Sequence, residues 1–265
     1  IFDHWWDLWY KEILKLGLKI QVRKSLGGII PKLSNIPLKN DLVFVWTGTT
    51  YGISIDNTDF ISPYHKGLVI ADVTSAAFIY DIQWKKIDIS ILSWQKALGS
   101  ESQHGMIIVS PKALERFKKI KRKIPKILDI RNLDYLINTP SLLSISDYLL
   151  CLNLYIERGG LLTNSKICMA NKSVIDNWVK NNDNVEFFVK NPKNRALTPS
   201  YLIFKKKFNY KKFFNFLKKE KIAFDIENYR GTSPGIRIWT GPTIKKKDLI
   251  SLTNWIDWSF YKFIR

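Results

Sequence analysis

Three short apolar runs set the fold class of this chain. Residues 42–46 (LVFVW) and 68–71 (LVIA) are apolar at every position, and residues 87–92 (IDISIL) hold four apolar residues in six. Strands of this kind are covered on both faces, as in a parallel sheet flanked by other layers. Fourteen residues, 74–87, lead from the second run into the third, enough for a crossover to a parallel neighbour. Only nine, 96–104, separate the third run from the apolar segment 105–109. That is too few for a helical crossover, so the fourth strand is expected to run antiparallel to the third.

The rest of the chain alternates helical and strand patterns. Residues 5–18 place Trp6, Trp9, Ile13 and Leu16 at helical spacing, with Gly17 near the end. Residues 47–52 (TGTTYG) read as a polar, glycine-bearing turn. Ser110-Pro111 opens a basic helix over 112–121, and Thr139-Pro140-Ser141 opens a longer one. Gly159-Gly160 breaks the chain before a further apolar-periodic segment, 161–179. Strands at 185–189 and 201–205, a helix at 211–220, a strand at 235–239 and a helix at 247–263 complete a small α/β domain. The expected division is residues 1–150 for the large domain and 151–265 for the small one.

Charge is a weaker guide. The 42 basic residues against 23 acidic ones leave +19, but only nine are arginine, so lysine supplies the other 33. Proteins that read phosphates or bases exploit arginine forks, and here the lysines are dispersed. They read as a solvated surface whose field also draws small anions. A nucleic-acid binder would set its tryptophans in repeated basic-aromatic modules. The ten here fall in apolar strands and helices, so nucleic acid is not an expected partner. Cys151 and Cys168 form neither a disulfide framework nor a zinc site, which suits a reducing compartment. No signal-peptide pattern and no membrane-length apolar run are present, so a cytoplasmic protein without a membrane partner is expected.

Polar turns after parallel strands converge at the carboxyl edge of a sheet, where open α/β folds bind ligands. Thr49, Asp72, Ser75, Gln95 and Lys96 fall on such turns. A carboxylate and a lysine at strand ends are what a pyridoxal phosphate enzyme needs. The amine bonds the cofactor aldehyde, and the carboxylate keeps the pyridine nitrogen protonated. Each residue alone has a plainer reading: Lys96 as one lysine among 33, Asp72 as a turn cap, Trp6 as a core aromatic, His104 as a turn residue.

Longer motifs tie these positions together. WTGTTYG (46–52), ADVTSAAF (71–78), SWQKALGSESQHGM (93–106), SPKALERF (110–117), INTPSLLSISDYL (137–149), GIRIWTGPT (235–243) and LTNWIDWSF (252–260) closely resemble the phosphoserine aminotransferases. These are class V aminotransferases of pyridoxal phosphate fold type I. The resemblance implies an α/β protein with a mostly parallel sheet in its large domain and a small C-terminal α/β domain. It implies transfer of an amino group between glutamate and 3-phosphohydroxypyruvate in L-serine biosynthesis, with pyridoxal 5'-phosphate as cofactor and a homodimer with shared active sites.

By the same resemblance Lys96 is the Schiff-base lysine, Gln95 and Ser75 lie near the cofactor phosphate, and Asp72 pairs with the pyridinium. Thr49 bonds the ring oxygen, and Trp6 stacks on the ring face, with Trp5 as the alternative register. Asn138 and Thr139 reach the partner's cofactor phosphate. Arg237 grips the substrate α-carboxylate, and Tyr229 with Arg230 meets its distal anion. The family carries about a hundred residues ahead of the position of Ile1, the size of a small domain. They include a phosphate-cradling loop, so the expectation is a truncated chain, weakly active and poorly soluble alone. Another class V aminotransferase, such as the alanine–glyoxylate type, remains open because substrate choice depends partly on those residues. A cysteine desulfurase needs a mobile loop cysteine, whereas Cys151 and Cys168 read as helical.

Overall fold

The computed structural model describes residues 1–131, 139–229 and 232–264, apart from the side chain of Ile127. In chain order the first elements are α1 (His4–Lys15), β1 (Leu42–Val45), β2 (Thr47–Gly48), β3 (Ile53–Ser54), β4 (Val69–Asp72), β5 (Ile89–Ser93), β6 (Gly105–Val109) and α2 (Pro111–Lys118). Then follow α3 (Leu142–Glu157), α4 (Gly160–Lys180), β7 (Val185–Phe187), β8 (Ser200–Phe204), α5 (Tyr210–Lys219), β9 (Gly235–Ile238) and α6 (Lys246–Phe263). They form two compact units: residues 33–46 with 57–160, and residues 1–32 with 47–56 and 161–265.

The first unit is built on a four-stranded sheet in the order β1-β4-β5-β6. The three apolar runs are its parallel strands β1, β4 and β5. β6 pairs antiparallel with β5 from Ser93↔Gly105 to Ile89↔Val109, as the short connection requires. Asp88 and Ser90, the polar residues of the third run, are buried along with Ile87, Ile89 and Leu92. Asp88 is accommodated because its carboxylate accepts from the Val69 amide at 2.9 Å, Ser110 Oγ at 3.0 Å and Lys112 Nζ at 2.9 Å. The crossover from β4 to β5 contains only turns and a single 3-10 turn at Trp84–Lys86. Ser110 caps α2 by accepting the Ala113 amide at 3.2 Å, with Pro111 in the first helical position. α3 begins at a Ser141 cap and is apolar nearly all round, leaving Leu142, Leu143, Leu149, Leu150 and Ile156 exposed.

The second unit carries the antiparallel sheet β7-β8-β9. Its core joins Ile175 of α4, Phe213 and Leu217 of α5 and Ile256 and Phe260 of α6 to Leu202 and Ile236 of the sheet. Phe213 and Phe260 stack with centroids 5.3 Å apart. The β-β-α-β-α order matches the sequence reading of this region. Residues 47–54 differ: they form a small hairpin, with Thr47↔Ser54 and Gly48↔Ile53 paired across the turn. Two-residue strands are too short to show a period-2 pattern, so the segment reads as a turn alone. α1 stops at Lys15, and Gly17 follows at φ +65°, a conformation that ends the helix before residue 18.

Candidate active site

β1, β4 and β5 finish together at one edge of the sheet of the first unit. Val45 pairs with Asp72 and Asp72 with Ile91, and the Trp46 and Val73 amides extend the ladder at 2.9 Å each. Asp72 is therefore the last residue of the central parallel strand. Its half-buried carboxylate accepts the Thr74 amide on Oδ1 at 2.9 Å, and Oδ2 has no partner among the described residues. The turn beyond it closes through Ala76 and Ala77 amides on the Val73 carbonyl, at 2.9 and 2.7 Å, and buries Ser75. On the neighbouring strand the chain leaves β5 at Ser93 and turns through Trp94, exposed Gln95 and half-buried Lys96. Asp72, Ser75, Gln95 and Lys96 thus share one edge.

The lysine turn is held at both ends by consecutive residues of α3. Trp94 stacks on Tyr148 with centroids 4.4 Å apart. Asp147 accepts from Ser100 Oγ at 2.6 Å and from the Glu101 amide at 2.8 Å. Those two contacts hold the Asp147 carboxyl below the ordinary carboxylate range, with the Ser100 bond contributing most. His104 adds a third tie: its Nε2 accepts the Ser141 amide at 3.2 Å, and its ring meets Trp94 edge-on at 5.6 Å. Thr139, exposed, lies two residues before that point. Asn138 is outside the described residues.

The second unit brings another group together. The Arg237 guanidinium of β9 lies 5.3 Å from the Tyr229 ring centroid. Tyr229 in turn meets His4 and Trp5 of the first turn of α1, at 5.6 and 6.0 Å between centroids. Trp5 is 40% exposed, whereas Trp6 is buried against Phe2. Thr49 occupies the β2–β3 turn, half-buried. Arg230 is outside the described residues.

Three supporting residues, Asp147, Tyr148 and His104, have no contact assigned from the sequence. Asp147 and Tyr148 lie within the SISDYL stretch, but their partners are some 46 to 54 positions away and no local pattern announces them. Among the described residues no cluster of His, Cys, Asp and Glu could hold a metal ion, and no helix is long and apolar enough to cross a membrane.

No protein-family model matches the chain. Curated relatives do. It is 36% identical over 266 residues to a phosphoserine aminotransferase of Methanosarcina mazei, covering 95% of this chain and 72% of that protein. It is 37% identical over 268 residues to that of Methanosarcina barkeri, with the same coverage. Among solved structures it resembles a phosphoserine aminotransferase from Cytophaga hutchinsonii at TM-score 0.84 and 16% identity, over 99% of this chain and 75% of that one. A PLP-bound phosphoserine aminotransferase from Trichomonas vaginalis matches at TM-score 0.71 and 18% identity, over 94% and 71%. The fold is that of these aminotransferases.

Proposed function

Because the chain belongs to the phosphoserine aminotransferase family, we propose that it transfers the amino group between glutamate and 3-phosphohydroxypyruvate in L-serine biosynthesis. The observation that carries this reading is that Asp72 ends one parallel strand while Lys96 lies on the turn that follows the adjacent one. Pyridoxal 5'-phosphate fits the donor set there. A half-buried amine can bond its aldehyde, a carboxylate oxygen left open can meet its ring nitrogen, and Ser75 and Gln95 offer donors for its phosphate.

When bound, that cofactor supplies a carbonyl to carry the amino group and a ring that draws electrons from the substrate Cα. Lys96 Nζ would anchor it and, once freed by substrate, would carry the proton from the substrate Cα to the cofactor carbon that holds the amino group. Asp72 favours the protonated ring nitrogen through its charge. Thr49 would bond the ring oxygen, and Trp6, or Trp5 in the adjacent register, would cover the ring face. Arg237 grips the α-carboxylate through two parallel hydrogen bonds, which fixes the Cα–H bond in direction. Tyr229 and Arg230 receive the distal anion of the substrate.

The assembly is a homodimer with shared active sites, Asn138 and Thr139 serving the partner's cofactor phosphate. The exposed leucines of α3 supply apolar surface of the kind such contacts bury. By the family resemblance residues 1–150 are assigned to the cofactor-binding domain and 151–265 to the small one, although residues 1–32 and 47–56 group with 161–265 in the two compact units.

The test is direct. The protein is purified with any residues encoded upstream of Ile1 retained, and pyridoxal phosphate is added. A visible absorbance band should appear and be lost in Lys96→Ala; its absence in the parent protein rejects the reading. Release of 2-oxoglutarate from glutamate should require 3-phosphohydroxypyruvate. Equal turnover with glyoxylate would move the chain to another class V activity.

A further inference from the structure

Asp3 sits outside the residues assigned above, yet it is 3% exposed and carries a carboxylate. Burial pushes its pKa up, and hydrogen bonding by the Trp5 and Tyr51 amides and by Thr50 pulls against that shift. Oδ1 accepts the Trp5 amide at 3.1 Å, the ordinary task of a helix N-cap. A serine or asparagine performs that task without a buried charge, whose desolvation is costly. The second oxygen has a different partner: Oδ2 accepts the Tyr51 amide at 2.9 Å, 48 positions along the chain.

Tyr51 lies in the β2–β3 turn, two residues after Thr49. The turn closes on itself through the Gly52 amide and the Gly48 carbonyl at 2.9 Å. At its other end Gly48 packs so tightly on Asp3 that a Cβ would stand 2.7 Å from the Asp3 Cβ. Stacking of Tyr51 on Phe188, with centroids 4.8 Å apart, holds the far side. The backbone on both sides of Thr49 is thus fixed against one carboxylate. We propose that Asp3 is the positioning residue for Thr49: it caps α1 and, with its second oxygen, sets the Thr49 turn that binds the cofactor ring oxygen. The proposal rests on the reading of Thr49 given above.

Cofactor affinity is measured by spectrophotometric titration with pyridoxal phosphate in the protein as encoded, together with the melting temperature. Asp3→Ser keeps an N-cap oxygen and removes the second acceptor. It should weaken cofactor binding about tenfold, the scale of a hydrogen bond to a charged group, with little change in melting. Asp3→Asn, whose amide would face the Tyr51 N–H, should do the same. Either loss should nearly vanish in a Thr49→Ala background, because the residue through which Asp3 acts is already gone. Equal losses in both backgrounds, or a lowered melting temperature with unchanged affinity, would reduce Asp3 to a structural cap and overturn the proposal. If Thr49→Ala alone leaves affinity unchanged while the Lys96-dependent band persists, the role of Thr49 fails and the proposal with it, but the aminotransferase reading stands.

Discussion

The ring of Trp94 lies on the ring of Tyr148, with centroids 4.4 Å apart and planes 21° from parallel. Trp94 is buried, and it is the first residue of the turn that carries Gln95 and Lys96. The stack therefore fixes where the lysine turn leaves β5. Such pairs contribute about 1 kcal/mol beyond the area they bury. Tyr148→Ala should lower stability by about 2–3 kcal/mol in urea unfolding, allowing for a half-buried ring, and weaken pyridoxal phosphate retention. Tyr148→Phe keeps the stacked ring and should leave both within experimental error of the parent.

Asp147, next along α3, makes acid stability the second prediction. Its carboxyl is held below the ordinary value, first by Ser100 and then by the Glu101 amide. Between the folded and unfolded pKa values the unfolded chain binds more protons, so stability rises with pH there. The contribution is fully present above the unfolded value near 3.8 and is lost as pH falls through the lower, folded one. Urea midpoints of the parent and Asp147→Asn should differ at neutral pH and converge in acid. Asp3 acts with the opposite sign, since its folded value is raised. Its cost sets in as pH rises above 3.8 toward that folded value.

The parts of the fold that sequence makes legible are those with a repeating or contiguous signal. The runs at 42–46, 68–71 and 87–92 become three parallel strands, and the nine-residue gap predicts the antiparallel β6. Asp72 and Lys96 are legible as candidates because strand ends converge by geometry. What cannot be read locally is each contact made across the chain. The Asp3–Tyr51 bond spans 48 positions and the Asp147–Ser100 bond 47. Helical spacing puts Trp6 on the inward stripe, where it packs on Phe2, whereas the contact of exposed Trp5 with Tyr229, far along the chain, has no local signal.

Gly235 is the third test. A Cβ there would stand 2.2 Å from the Leu202 carbonyl oxygen, backbone of the adjacent strand that cannot give way cheaply. Gly235→Ala must therefore push β9 from β8 at the pair Ile203↔Gly235, two residues from Arg237. A loss of about 1–3 kcal/mol is expected in denaturant unfolding. The cofactor band should survive, while KM for glutamate rises because Arg237 moves with its strand.

Cys168 gives a chemical test of the core. Burial pushes its thiol up to about 12, so almost no thiolate exists at neutral pH. In native protein a thiol reagent should leave Cys168 unmodified over hours and label it promptly in denaturant, as read by peptide mass spectrometry. Rapid native labelling would mean that α4 opens locally, since the thiol is fully buried there.

If Arg237 grips the substrate carboxylate as proposed, its variants separate substrate binding from cofactor binding. Its guanidinium lies over the Tyr229 ring at 5.3 Å, and its backbone is fixed by pairing with Tyr201 in β8 and by its own amide on the Ile226 carbonyl at 2.8 Å. A lysine in its place offers a point charge in place of a planar fork and loses the two parallel hydrogen bonds that orient a carboxylate. Arg237→Lys should therefore keep the visible cofactor band and raise KM for glutamate by about 10- to 100-fold, the equivalent of one charged hydrogen bond. Arg237→Gln, without the charge, should raise it further. Steady-state kinetics with glutamate as the varied substrate decides the matter: an unchanged KM in both variants would remove Arg237 from the α-carboxylate site, whatever the fate of Lys96.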